Sequence, residues 1–513
     1  MSNNETLLMT IDLGTSFIKA SVYDQESNVL ATAGDRVKSQ FPKPGVFIQK
    51  GEDIFDSVIN SIKSICAELG DKSSNIEAVS FTGQMSGFMG VDTDWNDITT
   101  WSCSMDTRYM PYADRQIAKL GKQFLEISGT NAPQMAPKFE WFKTEFPEES
   151  KKIAKYLMIS GYVIGRLGDR PIDEATIDKS YTQWTGLADV RNSVWSDEIC
   201  SAVGMDQKYL PKIVGSNYVC AGLSQKMADI TGLKSGIPLV SGAGDKISGC
   251  LGAAVVDNGE VIFEASTYGA LSACFDEYKP DMDSKRIDIA PSSIDGYFFS
   301  TNFIIGSGMT LDWFVNQFQM NEGDDIGAAF AAVEKKASAI EPGSDGLMAI
   351  GLLGGSGMPL EGSLKGMWMG FDWSHKKEHF YRAILESYCY DFTLTCRSVE
   401  KLHPTYNLDN VKIIGGGAKS DLWTQMMADV MGKTFQRLNR KDVAMWGAAI
   451  LAGNAIGLYP DMKATARKYV SVLKEFHPDM EMNKKYMPYL EQYEQFVKEL
   501  TPFYRRLQKN NQG

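Results

Sequence analysis

Short apolar runs alternate with longer segments of helical periodicity along most of this sequence. Residues 7–11 and 17–23 are rich in aliphatic and aromatic side chains and predict the two strands of a hairpin. Apolar residues recur at helical spacing over 54–69, and Gly70 is expected to end that helix. Residues 76–81 predict the next strand. Strands that alternate with helices in this way predict an α/β protein with buried mixed sheets.

The second half of the sequence continues this alternation. Strands are predicted over 261–263 and 411–414, and helices over 378–400 and 444–457. Residues 484–508 mix charged and apolar side chains and predict one terminal amphipathic helix.

A weak internal repeat divides the chain into two parts. A strand that runs into a turn of Gly, Ser or Thr occurs near residue 14 and again near residue 267, about half a chain later. We interpret this as a duplicated, two-domain protein with a boundary near residues 255–260. At roughly 150 residues per domain, a chain of this length holds about two to four domains.

The composition excludes several classes of partner. The chain has 513 residues and a net charge of −12, from 52 Lys and Arg against 64 Asp and Glu. Such an acidic chain is a poor candidate for binding nucleic acid or an anionic membrane surface. No run of about 18 apolar residues predicts a membrane span. The eight cysteines form no C-x-x-C pair, and the sequence does not start like a secretory signal, so we expect a cytoplasmic protein.

The first predicted hairpin carries candidate phosphate chemistry in the sequence D-L-G-T-S-F-I-K, which starts at Asp12. Gly14 would let backbone amides approach a phosphate, and the hydroxyls of Thr15 and Ser16 would donate hydrogen bonds to it. The Asp12 carboxylate is a ligand type suited to Mg²⁺, and Lys19 would reach back as a positive charge. The alternative from the residues alone is an ordinary hairpin turn.

Three consecutive glycines, residues 415–417, follow a predicted strand and precede a predicted helix. They remove side chains where something flat or anionic could lie against the backbone, close to a favourable helix start. The alternative is a flexible loop. The sequence contains neither a Walker phosphate loop nor a dinucleotide fingerprint, so an ATP site would have another architecture.

Asp245 stands among small residues in the sequence G-A-G-D-K. A carboxylate in such surroundings could project into a cleft and accept a proton from a substrate hydroxyl. From spacing alone, the favoured interpretation is a cap of the helix that follows, since Asp is a preferred capping residue. Lys246 beside it would favour the ionised carboxylate.

These motifs together resemble a known family. The order D-x-G-T, G-Q-M, G-x-G-D and G-G-G-A-K-S is similar to that of the FGGY carbohydrate kinases, in the actin-like ATPase superfamily. The stretches at 137–141, 186–196 and 366–386 resemble further segments of the family, so the resemblance covers nearly the whole chain. It implies two ribonuclease-H-like domains that bind ATP and a sugar in the cleft between them. On this basis residues 1–256 would form an N-terminal FGGY domain with the sugar site and the base. Residues 257–513 would form a C-terminal, ATP-binding FGGY domain with a terminal helix.

The resemblance also implies roles for individual residues. Asp245 would be the general base, and Asp12 and Asp245 would hold Mg²⁺. The phosphates of ATP would face Gly14, Thr15, Ser16, Lys19 and Thr267, and the adenosine would face Gly416, Gly417 and Ala418. Thr267 lies where the family usually has Gly-Thr-Ser, whereas the turn here reads A-S-T.

The sugar is suggested by a loop that resembles the G-Q-M-H-G loop of xylulokinases. Here it holds Gln84 and Met85, with Ser86 in the place of the histidine. Asp106 and Arg108 are further candidates for binding hydroxyls. Lys246, which follows the base where xylulokinases have asparagine, is also assigned to the substrate.

A ketopentose such as xylulose is therefore the first expected substrate. Another ketose, a polyol or a small quorum-signal molecule is an alternative. So is an actin-like nucleotide-binding module without kinase activity. We further expect a possible homodimer.

Overall fold

The computed structural model describes residues 5–320 and 323–510. Each half of the chain contributes one large sheet with helices packed around it. The strands of the N-terminal half (residues 5–256) are β1 (Leu7–Leu13), β2 (Phe17–Tyr23), β3 (Val29–Arg36), β4 (Ile76–Gly83), β5 (Gly87–Val91), β6 (Ser102–Cys103), β7 (Lys155–Leu157), β8 (Thr176–Asp178), β9 (Ala188–Asp189), β10 (Val194–Trp195), β11 (Lys212–Val214), β12 (Val219–Gly222) and β13 (Pro238–Val240). Its α-helices are α1 (Gly51–Leu69), α2 (Met110–Ser128), α3 (Met135–Glu145), α4 (Pro147–Ser150), α5 (Ile159–Gly168), α6 (Thr182–Thr185), α7 (Asp197–Val203), α8 (Gln225–Thr231) and α9 (Asp245–Gly252).

The C-terminal half (residues 257–320 and 323–510) contains the two longest of the described helices. Its strands are β14 (Val261–Glu264), β15 (Gly269–Phe275), β16 (Asp288–Pro291), β17 (Phe298–Ile304), β18 (Met348–Ile350), β19 (Met367–Met369), β20 (Asn410–Ile414), β21 (Thr434–Leu438) and β22 (Val472–Phe476). Its α-helices are α10 (Ser307–Phe318), α11 (Ile326–Ala337), α12 (Lys377–Leu402), α13 (Asp421–Met431), α14 (Val443–Ala455), α15 (Met462–Lys468) and α16 (Met480–Asn510).

The sheet of the N-terminal half has the strand order β12-β13-β4-β1-β2-β3. Strand β1 pairs antiparallel with β2 and parallel with β4, and β4 pairs parallel with β13. Strand β1 is buried along almost its whole length, which explains its continuous apolar sequence in place of an alternating one. Because β1, β4 and β13 are parallel neighbours, their carboxyl ends meet at one edge of the sheet.

The sheet of the C-terminal half has the order β16-β17-β15-β14-β20-β21-β22. Strand β14 pairs antiparallel with β15 and parallel with β20, so the carboxyl ends of β14 and β20 are also neighbours. Both sheets therefore contain a hairpin beside parallel strands, and the two hairpins include the strand-and-turn segments near residues 14 and 267.

Helix α14 packs away from the sheet that precedes it in sequence. It contacts α9, β1 and β4, and Trp446 and Ile450 are fully buried in the core of the N-terminal half. The proposed boundary at residues 256 and 257 stays a prediction, and α14 lies beyond it in sequence. Among residues 5–320 and 323–510, no helix combines the length and the apolar character that crossing a bilayer requires.

Candidate active site

The carboxyl edge of the N-terminal sheet gathers three of the sequence-predicted segments. Asp12 is the penultimate residue of β1, Gln84 directly follows β4, and Asp245 opens α9 shortly after β13. Gly242 permits this convergence, because it has a φ of +69° and a Cβ there would lie 1.7 Å from the Phe81 carbonyl oxygen. The parallel register of three neighbouring strands thus brings together residues that are far apart in sequence.

Asp12 and Asp245 line the same cavity, and burial raises the pKa of both carboxyl groups. Burial, with the nearby Asp245 carboxylate, raises the pKa of Asp12 from its ordinary 3.8 to about 7. Lys19, directly opposite Asp12 on β2, acts in the other direction. Burial also raises the pKa of Asp245 to about 6, while Lys246 lowers it and Glu264 raises it.

The cavity has a volume of about 290 Å³ and is lined by residues from both halves. Its polar lining consists of Asp12, Lys19, Asp245, Lys246, Glu264, Ser272, Lys441 and Asp442. The backbone of Gly415, at the end of β20, also reaches it. Four of the predicted site residues therefore share one cavity with the first of the three glycines.

The donor set fits Mg²⁺. Within the described part of the chain there is no group of three or more His, Cys, Asp or Glu side chains arranged to hold a metal ion. Two carboxylates that face one cavity suit a hard cation that completes its coordination with water and phosphate oxygens. Asp12 and Asp245 are the residues that would hold it.

The turn between β1 and β2 is held by a hydrogen bond from a side chain elsewhere in the sequence. The Gln49 side-chain amide donates to the Thr15 carbonyl oxygen at 2.6 Å, and a Cβ at Gly14 would lie 2.6 Å from the Phe17 carbonyl oxygen. Thr15 is half-buried and Ser16 is exposed, so both hydroxyls are accessible at the turn.

Two loops of the C-terminal half are joined by backbone hydrogen bonds. Ala265 accepts from the amide of Gly417 at 2.8 Å and donates to the Ile414 carbonyl oxygen at 2.9 Å. Thr267 is exposed in the turn between β14 and β15. The segments predicted to hold phosphate and adenosine therefore form one hydrogen-bonded unit.

The three glycines serve different purposes. Gly415 has a φ of +94°, and a Cβ at Gly417 would lie 2.5 Å from the Trp423 ring. Gly416 has open space around it and is exposed. Two of the glycines are thus required by the loop itself. Gly416 leaves backbone uncovered for a ligand, next to the buried Ala418.

The predicted sugar loop lies against the base. The Met85 side chain fills the position that a Cβ at Gly244 would occupy, so the loop touches the residue before Asp245. The indole Nε1 of Trp101 donates to Gln84 Oε1 at 3.2 Å, which orients the Gln84 amide. Among the described residues, no group is within hydrogen-bonding distance of the buried Ser86 hydroxyl.

Asp106 and Arg108 are bound to each other. Arg108 donates from Nε to Asp106 Oδ1 at 2.8 Å and from Nη2 to Oδ2 at 2.7 Å. The Arg108 backbone amide and the Ser102 hydroxyl also donate to Asp106, which is fully buried. Their predicted contact with sugar hydroxyls stays a prediction.

The buried Lys138 binds the backbone of strand β6. Lys138 donates to the carbonyl oxygens of Ser102 and Cys103 at 2.7 and 2.8 Å. Burial lowers its pKa to about 8. Lys138 lies in the stretch 137–141 that resembles the family, so the sequence indicated this residue without indicating what it binds.

Lys246 has a partner that the sequence analysis missed. Its Nζ donates to Glu264 Oε2 at 2.5 Å, across the gap between α9 and β14. Glu264 is the last residue of β14, as Asp12 is near the end of β1. A carboxylate at the end of an apolar strand was therefore the signal that could have identified it.

Two sheets that each have a hairpin beside parallel strands, with a cavity between their strand ends, define a two-domain α/β protein of the ribonuclease-H-like, actin-like fold class. Residues 7–252 match the N-terminal domain of the FGGY family of carbohydrate kinases, and residues 278–456 match its C-terminal domain. The chain belongs to the FGGY family, and it is a carbohydrate kinase.

Several kinases are similar to this chain over most of its length. The xylulose kinase of Bacillus subtilis is 27% identical over 509 residues, 98% of this chain and 99% of that protein. The gluconokinase of the same species is 27% identical over 459 residues, 88% of each chain. The solved structure of a ligand-bound xylulose kinase from Lactobacillus acidophilus superposes with a TM-score of 0.89 at 20% identity, and covers 98% of this chain and 100% of that one. The family and the fold are thus common to kinases named for different sugars.

Proposed function

We propose that this kinase transfers the γ-phosphoryl group of ATP to a hydroxyl of a ketopentose such as xylulose. The placement of Asp245 carries the proposal. Its carboxylate lines the cavity with Asp12, and the preceding Gly244 touches Met85 of the sugar loop. A base in this place has the substrate on one side and the phosphates on the other.

The proposed chemistry follows from that placement. Asp245 accepts the proton of the attacking hydroxyl, and the oxygen attacks the γ-phosphorus in line. A pKa raised to about 6 leaves the carboxylate ionised at neutral pH and makes it a stronger proton acceptor than an exposed aspartate.

The remaining residues position the donor nucleotide. The phosphates face Gly14, Thr15, Ser16, Lys19 and Thr267, and the adenosine lies along Gly416, Gly417 and Ala418. Mg²⁺ held by Asp12 and Asp245 would supply neutralisation of the phosphate charge. Exposure of Ser16, Thr267 and Gly416 supports these assignments.

The charges near the sugar loop favour a neutral substrate. Arg108 is bound to Asp106, Lys138 to two carbonyl oxygens, and Lys246 to Glu264. Recognition of a sugar acid requires a cation that can pair with its carboxylate. Since these three are already engaged, a neutral ketose suits the loop better than a sugar acid such as gluconate.

A coupled ADP-release assay with Mg·ATP tests the proposal. D-xylulose should stimulate ADP release more than gluconate, other ketoses or polyols, and Asp245→Asn should lower turnover by at least about a hundredfold. Binding of an ATP analogue should survive in that variant. Near-normal turnover of Asp245→Asn would reject the base. A preference for gluconate would reject a ketopentose as the substrate but would still agree with kinase activity.

A further inference from the structure

Lys246 and Glu264 connect the two halves of the molecule within the active-site cavity. Lys246 is the second residue of α9, directly after the proposed base, and Glu264 ends β14. Their hydrogen bond of 2.5 Å joins side chains that are only 30% and 25% exposed. A charge-assisted contact in such a place is stronger than an ion pair on an open surface.

Each end of this contact is attached to a functional segment. Glu264 Oε1 accepts a hydrogen bond from Ser266 Oγ at 2.8 Å, within the turn that carries Thr267. The next residue, Ala265, is bonded to the glycine loop through the amide of Gly417. Lys246 is covalently attached to Asp245. The contact therefore connects the base to the loops proposed to hold the nucleotide.

The surrounding charges make both partners necessary. Four carboxylates line the cavity. Asp442 is bound to Arg440 and Tyr23, whereas Lys246 lies directly against Glu264 and adjoins Asp245. Without Lys246, Glu264 would face the other carboxylates with no bound cation. Without Glu264, Lys246 would be free to turn toward Asp245 and occupy the base.

We propose that Lys246 and Glu264 form an interdomain link that sets the spacing between the general base and the phosphate-binding turn. Lys246 is then a positioning residue and not a ligand of the sugar. This inference rests on the proposed role of Asp245. It gives a function to the lysine that replaces the asparagine found after the base in xylulokinases.

A double-mutant cycle tests the link. The variants are Lys246→Met, Glu264→Gln, the double variant and the conservative Lys246→Arg, each assayed for kcat, sugar KM and binding of an ATP analogue. Asp295→Asn is the matched control, because Asp295 forms an ion pair with Lys179 that also joins the two halves but lies outside the cavity. Thermal unfolding midpoints and hydrogen exchange of residues 264–269 accompany the kinetics.

The link predicts a specific pattern. Each single variant should lose about tenfold to a hundredfold in kcat, the cost expected when reacting groups are misplaced by about 1 Å. Sugar KM should change little, and exchange at 264–269 should rise. The double variant should be no worse than Lys246→Met, because no unpaired carboxylate is left, and Lys246→Arg should retain most activity. Asp295→Asn should match the wild type.

Other patterns would overturn the link. A loss with Lys246→Met but none with Glu264→Gln would mean that Lys246 acts directly on substrate or phosphate. A large rise in sugar KM with unchanged kcat would mean that Lys246 binds the sugar, as the sequence analysis assigned it. Losses that multiply in the double variant would show independent roles. Asp245→Asn in the same assays separates these outcomes from failure of the base assignment, since that variant leaves the link intact.

Discussion

Asp12 and Asp245 are buried beside other carboxylates in one cavity, and this burial makes their ionisation sensitive to pH near neutrality. Both pKa values lie above that of a free aspartate, at about 7 and about 6. The ionised forms therefore accumulate only as the pH rises through these values. A bound divalent cation favours the ionised forms, and so competes with protons for the same oxygens.

We expect kcat/KM to fall as the pH is lowered from about 7 to about 5, since the base must be ionised in the free enzyme. Raising the Mg²⁺ concentration should move this decline to lower pH. Initial-rate profiles at two Mg²⁺ concentrations measure both effects. A flat profile, or one that Mg²⁺ leaves in place, would contradict the carboxylate pair.

Asp12→Asn removes one negative charge and keeps the side-chain shape. The Mg²⁺ concentration needed for half-maximal rate should rise by about tenfold or more, because one of two carboxylate ligands is lost. Asp35→Asn, on the edge strand β3 of the same sheet, is the control and should leave the titration unchanged. An identical Mg²⁺ requirement in Asp12→Asn would remove Asp12 from the metal site.

At this scale the sequence indicated single residues but not pairs. Asp12 was singled out from the residues around it, and Gln84 and the base role of Asp245 from the resemblance to the family. The parallel strands place all three at one edge of the sheet, and their roles stay predictions. Glu264 was missed because its partner is 18 residues away, on another element. Local spacing contains no information about such a contact until the topology is known.

At the scale of elements, the crossing of α9 and α14 depends on two glycines. A Cβ at Gly252 would lie 1.8 Å from the Val443 carbonyl oxygen, and one at Gly447 would lie 1.9 Å from that of Ser248. The two helices therefore touch backbone to backbone. This contact also positions α9, whose first residue is Asp245.

Gly447→Ala should lower the free energy of unfolding by about 1–3 kcal/mol, as overpacking of a dense contact does. Gly121→Ala in α2 is the matched control, because the nearest atom to its added methyl is 3.6 Å away. Alanine there should stabilise the helix by about 0.5–1 kcal/mol. Denaturant unfolding measures both. Equal stability of the two variants would contradict the close crossing.

Elements with a strong periodic signal were predicted, and those with a weak one were not. The predicted helix over 54–69 is α1, and the strands expected over 17–23 and 411–414 are present. Strand β3 has the sequence V-L-A-T-A-G-D-R, in which small residues blur the alternation. Helix α14 is apolar on all sides, which predicts burial but not the core in which it is buried.

At the scale of the whole molecule, Asp288 joins the two halves at a place outside the lining of the active-site cavity. This fully buried residue of β16 accepts hydrogen bonds from Thr130 Oγ1, from both the backbone and side-chain nitrogens of Asn131, and from Gln183 Nε2, at 2.8–3.1 Å. All four donors belong to the N-terminal half. The carboxylate is therefore a polar joint: its buried hydrogen bonds connect the C-terminal half to the N-terminal half.

Asp288→Ala should lower the free energy of unfolding by about 2–4 kcal/mol, since buried donors lose their acceptor. Asp295→Asn is the control for an exposed interdomain charge and should cost less than about 1 kcal/mol. Calorimetric unfolding of both variants measures the difference. A thermal midpoint for Asp288→Ala equal to that of the control would contradict the role of this joint.

The position of α14 has a consequence for how the protein is made. A ribosome completes β1 and β4 early, yet the helix that covers them, with Trp446 and Ile450, emerges only after strands β14 to β21 have been made. Part of the apolar surface of the N-terminal half therefore stays exposed to solvent until α14 has been synthesised. Folding during synthesis usually proceeds domain by domain from the N-terminus. Order of synthesis and order of assembly differ here, and a gene divided after residue 256 would yield a first half without the last piece of its own core.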